Sequence, residues 1–127
     1  MTLPPSAHPI GFVFSTNPQA LKSFYADVLG LPLTGEDDFA IAFDLGQGAM
    51  LRLTNLPSHK PEPHTAFGWS VADIRATILA LKAKGVAFKT YDGFGQDSDG
   101  VWTAPDGQTM VAWFPDPEGN LLSLTQF

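Results

Sequence analysis

Phe114-Pro115-Asp116-Pro117-Glu118-Gly119-Asn120-Leu121-Leu122-Ser123-Leu124-Thr125-Gln126-Phe127 is the stretch that decides the fold. Within it, Asp116 to Asn120 has the chemistry of a tight turn. Pro117 presets φ, and Gly119 reaches positive φ without steric cost. Ahead of the turn, Met110–Phe114 reads as a strand. Beyond it, Leu122, Leu124 and Gln126 alternate with Ser123 and Thr125, the period of a half-buried strand. The stretch predicts a β-hairpin.

An earlier stretch, Ala40 to Asn55, lies over Val111 to Gln126 at a constant offset. Phe43 meets Phe114, Gly48 meets Gly119, and Met50-Leu51-Arg52-Leu53-Thr54-Asn55 meets Leu121-Leu122-Ser123-Leu124-Thr125-Gln126. A register matched over both strands points to duplication rather than a chance reuse of strand–turn–strand.

The remaining chain divides into two halves of one plan. Residues 1–9 hold three prolines and read as an extended arm. Ile10–Ser15 is a strand; Asn17 is an N-cap with Pro18 at the first helical position. Leu21, Phe24, Tyr25, Val28 and Leu29 recur at helical spacing, and Gly30 closes the helix. Leu31–Thr34 is a short strand before the acidic turn Gly35–Asp38. After the first hairpin comes Pro57-Ser58-His59-Lys60-Pro61-Glu62-Pro63, a proline-rich linker. The second half then offers a strand at Thr65–Val71 and the N-cap Asp73. A helix through Ile74, Ile78, Leu79 and Leu81 ends at Gly85. Val86–Thr90 is a further strand, followed by a long Gly- and Asp-rich loop over Tyr91–Gly107. Each half is β-α-β-β-β.

With 127 residues and 44% hydrophobic content, the chain can build one domain with a packed core. Its net charge of −6 argues against nucleic acid and anionic membrane surfaces as partners. The absence of cysteine excludes disulfides and thiolate chemistry. No stretch reads as a signal peptide or a membrane span, so the expected location is the cytoplasm.

The order of elements resembles the vicinal oxygen chelate superfamily, which includes glyoxalase I, extradiol dioxygenases, and fosfomycin- and bleomycin-resistance proteins. The resemblance is carried by Phe24-Tyr25-Ala26-Asp27-Val28-Leu29-Gly30-Leu31, by Val71-Ala72-Asp73-Ile74 with Lys82-Ala83-Lys84-Gly85-Val86, and by Asp116–Asn120. It implies an α+β domain over residues 1–127, with two βαβββ modules in tandem forming a cupped, half-barrel sheet around a cavity. Module one spans about 8–56, the linker about 57–63 and module two about 64–127. It also implies a homodimer.

Members of that superfamily that use a divalent metal hold it with histidines on the first strands and carboxylates on the last strands of the modules. Carried over, the histidine positions fall on Ile10 and Ala66, and the carboxylate positions on Arg52 and Ser123. None is a metal ligand, and Arg52 places a fixed positive charge where the cation would sit. His8 and His64 precede the expected positions by one strand period. They read as rim or surface histidines, because two imidazoles without a third ligand make a poor site. The expectation is no metal and no other cofactor.

Alternation puts Ile10, Phe12 and Phe14 on one face of the first strand, with Met50, Arg52 and Thr54 and, in the second half, Leu121, Ser123 and Thr125. By the family pattern this face lines the cavity. The candidate ligand-binding residues are therefore Phe12, Phe14, Met50, Arg52 and Ser123, with Tyr91 and Trp102 from the long loop. Arg52 either clamps a ligand carboxylate or phosphate or pairs with an acid such as Asp38 or Asp44. Trp69, on the opposite parity from Gly68 and Ser70, is expected on the helix side of its sheet. The long loop is either a cover over the site or a surface excursion. No nucleophile–base pair stands out. The first functional reading is a metal-independent protein binding a small organic molecule. The alternatives are a glyoxalase- or dioxygenase-type enzyme with an atypical metal site, and an interaction module whose cavity is filled by Phe12, Phe14 and Met50.

Overall fold

A computed structural model describes residues 2–127. The chain divides at Lys60/Pro61 into two compact units. The first holds β1 (Ile10–Ser15), α1 (Pro18–Ser23), β2 (Leu33–Glu36), β3 (Ala40–Gly46) and β4 (Ala49–Asn55). The second holds β5 (Thr65–Ser70), α2 (Ile74–Ala83), β6 (Trp102–Thr103), β7 (Met110–Pro115) and β8 (Leu121–Gln126). Each unit folds around an open four-stranded mixed sheet, in the orders β1-β4-β3-β2 and β5-β8-β7-β6. In both, the first strand runs parallel to the last, and the hairpin pairs antiparallel. The fold is α+β, as the sequence implied.

The two hairpins share one register. Phe43 faces Leu51 as Phe114 faces Leu122; Ile41 faces Leu53 as Ala112 faces Leu124; Ala42 faces Arg52 as Trp113 faces Ser123. The reason is burial. Phe43, Leu51, Leu53, Phe114 and Leu122 are fully buried and Leu124 nearly so. Each is worth about 1.5–3 kcal/mol of removed apolar surface, and a slip of one residue would expose the whole set.

The turns differ. Gln47 and Gly48 both take positive φ (52° and 83°) in the first hairpin. The second is built on buried Asp116, whose Oδ1 accepts the N–H groups of Glu118, Gly119 and Asn120 at 2.9–3.0 Å. Its Oδ2 accepts Asn120 Nδ2 at 2.8 Å.

The helices form where expected but not always as expected. Asp73 caps α2 by accepting the Ala76 N–H at 3.0 Å, and α2 gives way to Gly85 at φ 90°. Asn17 makes no side-chain cap; Ser15 Oγ instead accepts the Asn17 N–H at 2.9 Å. From Phe24 to Val28 the helix widens into a π-helical turn, with Leu29 N–H bonded to the Phe24 carbonyl, before Gly30 at φ 74°. The widened turn buries both Phe24 and Tyr25, with Tyr25 against Phe43 at 6.0 Å between centroids.

Three strand expectations need correcting. Val86–Thr90 is not a strand: the Lys89 N–H reaches the Trp113 carbonyl of β7 at 2.8 Å, but the Lys89 carbonyl is taken by Gln96 Nε2 at 3.0 Å, so the ladder does not continue, and Phe88 packs on Phe114. The fourth strand of the second sheet is the short β6, after the Gly-rich part of the loop rather than before it. In the first unit β2 starts at Leu33 and includes Gly35 and Glu36, so the acidic turn shrinks to Asp37 and Asp38.

Candidate functional site

Each sheet has one face closed by its helix; the helix leaves the other face open, exposed at Ile10 and Phe12 in the first unit but buried at Leu121 and Ser123 in the second. In the first unit the closed face carries Val13, Ile41, Phe43, Leu51 and Leu53, all nearly inaccessible. Directly paired residues share a face, so the open face carries the rows Ile10–Met50–Asp44, Phe12–Arg52–Ala42 and Phe14–Thr54–Ala40. Phe12 is 51% exposed and Ile10 48%, large values for apolar side chains in a sheet. Phe12, Phe14, Met50 and Arg52 thus lie together on one surface, as alternation predicts. His59 joins this edge, with its ring 6.1 Å from that of Phe14.

Arg52 stands at the centre of this surface. Its nearest acid is Asp37, with Nη2 to Oδ2 at 3.6 Å, rather than Asp38 or Asp44. Asp44 lies on the same face but uses Oδ1 to accept the Gly46 N–H in the hairpin turn. Asp37 belongs to the β2–β3 turn, where its Oδ1 accepts the N–H groups of Phe39 and Ala40 at 2.8 and 2.9 Å. Those two bonds, with a smaller contribution from Arg52, hold the Asp37 carboxyl below the usual carboxylate range. The Arg52–Asp37 separation exceeds the 2.7–2.9 Å or so of a charge-assisted hydrogen bond. With the two side chains 30% and 54% exposed, solvent screens the pair and leaves it weak. The guanidinium is held loosely.

In the second unit the open face carries Gly68–Ser123–Trp113 across β5, β8 and β7. A Cβ on Gly68 would collide with Ser123 Oγ, so the glycine is what lets the serine lie flat in this row. Trp69 lies opposite Leu124 and Ala112, on the other side, as its parity predicts. Trp113, which the sequence pattern alone does not single out, gathers an aromatic trio. The rings of Tyr91 and Phe94 stand 6.0 and 5.9 Å from it, nearly perpendicular, and 5.6 Å from each other. Edge-on rings at these distances attract through their quadrupoles. Trp102 lies on β6, where it pairs with Val111 of β7. Beside Tyr91, a groove of ≈ 260 Å³ is lined by Pro61, Glu62, Pro63, Lys89, Gly119 and Leu121.

The residues at the superfamily's metal positions do not fit a metal. Ile10 and Arg52 occupy them in the first unit, Ser123 and Ala66 in the second; Ala66 falls at an irregularity in the β5–β8 register. His8 packs its ring over Gly48, where a Cβ would come within 2.6 Å of Nδ1. His64 Nδ1 faces the Thr65 carbonyl at 3.5 Å. Among the described residues no three His, Asp or Glu side chains gather as a metal site. No helix of the described residues is long and apolar enough to cross a membrane.

Comparison with known proteins agrees with this architecture. A lactoylglutathione lyase from Agrobacterium tumefaciens superposes with a TM-score of 0.72 at 19% identity, over 97% of this chain and 95% of that one. TnmS3, an antibiotic binding protein from Streptomyces sp. CB03234, gives 0.71 at 22% identity, over 99% and 98%. A superfamily member from Sphaerobacter thermophilus DSM 20745 gives 0.74 at 19%, over 96% and 98%. No curated protein matches the chain in sequence. The family model described as Glyoxalase/Bleomycin resistance protein/Dioxygenase superfamily matches residues 7–124, nearly the whole chain, and the chain belongs to that superfamily.

Proposed function

We propose that this protein binds a small organic anion without a metal, holding its apolar part on the open aromatic face of the first sheet and its charge on Arg52. The observation that carries the reading is the state of Arg52. A guanidinium amid Phe12, Phe14 and Met50 is partly desolvated and favours an anion, yet its nearby acid lies at 3.6 Å. A ligand carboxylate or phosphate offers two short, parallel hydrogen bonds where Asp37 offers a long contact. Asp37 loses little by the exchange, because Phe39 and Ala40 still satisfy its other oxygen.

The antibiotic-binding neighbour supports a binding role, and the lyase neighbour supports an enzymatic one. The residues favour binding, since nothing at the metal positions can ligate an ion and polarise substrate oxygens. A cytoplasmic homodimer belongs to the same reading; light scattering measures its mass. The direct test is a thermal-shift screen of aromatic and aliphatic carboxylates and phosphate esters on chelator-treated protein. Stabilisation by at least one of them is expected. A flat response to the whole panel overturns the reading.

A further inference from the structure

The loop between α2 and β6 has two parts with different anchors. Residues 96–101 form a knot. Asp97 Oδ1 accepts the Asp99 and Val101 N–H groups at 2.9 and 3.0 Å. Gln96 donates to the Lys89 and Gly100 carbonyls and accepts the Tyr91 N–H. The knot is tied to α2 by charge: Arg75 reaches Asp97 at 2.7 Å and Asp99 at 3.0 Å, and Lys82 reaches Asp99 at 3.3 Å.

The second part, Tyr91 to Gly95, is a tip. Gly93 and Gly95 take positive φ (79° and 71°), with nothing within 4 Å of where a Cβ would stand. The tip's hydrogen bonds, Tyr91 N–H to Gln96 Oε1 and Phe94 N–H to the Tyr91 carbonyl, stay within the loop. Its stem is pinned to the sheet where the Lys89 N–H donates to the Trp113 carbonyl at 2.8 Å, and beyond that hinge the tip meets the sheet through the two ring contacts to Trp113.

These two anchors sit on opposite faces of the sheet. Gln126, which shares its face of β8 with Leu122 and Leu124, accepts the Ile74 N–H, so α2 covers that face. Trp113 shares the other face with Ser123. The loop therefore runs from the helix side round the β6 edge to the open side. We propose that Tyr91 and Phe94 form a lid on Trp113, with Arg75 and Lys82 as its latch, so that ionic strength sets how often a planar ring can reach Trp113. Exposed ion pairs and edge-on aromatic contacts are both weak holds. The two holds are of similar size, so weakening either one shifts the lid. Such marginal local opening is common in segments with few buried contacts. The lid is a property of the free protein and stands whether or not Arg52 binds an anion.

The test is acrylamide quenching of Trp113 fluorescence in a Trp69→Phe, Trp102→Phe background, which keeps both replaced positions aromatic. Raising sodium chloride from about 0.1 M to about 1 M shortens the screening length from about 10 to about 3 Å. The salt, or Arg75→Gln at low salt, should raise the quenching constant about twofold or more by freeing the tip. Arg75→Lys should fall between, and Lys22→Gln, which breaks an ion pair of the first unit, should change nothing. Phe94→Ala should quench like the open state and lose its salt response. Quenching that ignores both salt and Arg75→Gln, or a Phe94→Ala protein that behaves like its parent, overturns the proposal. Should the background variant not fold, the Trp113 indole N–H signal of the wild-type chain in NMR replaces the quenching. It should shift progressively through the same salt range, and a signal that stays fixed overturns the proposal equally.

Discussion

Gly68 lies directly opposite Ser123 across the parallel β5–β8 pair, close enough that a Cβ on the glycine would overlap the serine hydroxyl and press on its carbonyl oxygen at 3.1 Å. The corresponding place in the first unit holds Phe12 opposite Arg52. One duplicated frame thus carries a bulky, charged row in one unit and a flat row in the other, where the bulk comes from Trp113.

That closeness predicts the cost of filling it. Gly68→Ala should destabilise by about 1–3 kcal/mol, the range for overpacking. In a Ser123→Ala background the penalty should shrink, since the hydroxyl is the first obstacle, yet persist in part because the carbonyl stays. Urea unfolding of the four proteins of this cycle measures the coupling. An alanine at 68 with unchanged midpoint would remove the close approach from the account.

The turn acids should differ sharply. Asp116→Ala removes the carboxylate that accepts from three backbone N–H groups and the Asn120 amide at a buried site, leaving Gly119 its bond to the residue 116 carbonyl, and should cost about 2–4 kcal/mol. Asp44→Ala removes one exposed bond to Gly46 and should cost under about 1 kcal/mol. Thermal melts separate the two; equal losses would contradict the assigned roles.

Acid should weaken the fold through named carboxylates. Asp37 and Asp106 are held low chiefly by backbone N–H donors, and Glu36 by Lys22 and Gln19. At Asp97, burial pushes up, but Arg75 and the backbone donors outweigh it and leave the carboxyl low. A depressed folded pKa means that stability is complete above the unfolded values, about 3.9 for Asp and 4.3 for Glu. It is lost as pH falls through the lower folded values. Melting temperature should therefore be flat from neutral pH to about 5 and fall below about 4, modestly for each group because solvent screens these exposed carboxylates. Asp106→Asn should fall less steeply. A melting temperature that rises on acidification would reverse the sign and refute this.

Protein purified without tags or chelators should carry no stoichiometric transition metal, because Ile10, Arg52, Ala66 and Ser123 stand at the ligand positions. Elemental analysis checks it. Near one equivalent of metal, lost in a His8→Ala, His64→Ala double variant, would move the reading to an enzyme.

What the sequence revealed followed from periodicity. Phe43 and Phe114 share one alternation pattern, and burying Leu51, Leu53, Leu122 and Leu124 leaves a single register for each hairpin. Positive-φ glycines at 30 and 85 mark both helix ends. The rest depends on distant partners. Val86–Thr90 has strand composition, but Gln96 captures the Lys89 carbonyl, and a side chain seven residues away leaves no local signal. Asp37 rather than Asp38 or Asp44 meets Arg52 because of how the β2–β3 turn folds back. The matched hairpins set Trp113 beside Ser123 as Ala42 sits beside Arg52, but its aromatic partners Tyr91 and Phe94 come from a loop that follows no period.

The most direct measurement of the account is the affinity of a stabilising anion for wild-type and Arg52→Met protein by titration calorimetry. Losing a charged hydrogen-bond donor should cost about 1.5–3 kcal/mol, weakening binding about ten- to a hundred-fold. The melting temperature of the free variant should stay close to wild type, because Asp37 is exposed and keeps its two backbone donors. Unchanged affinity, together with a clearly lower melting temperature, would contradict the account and make Arg52 a structural residue.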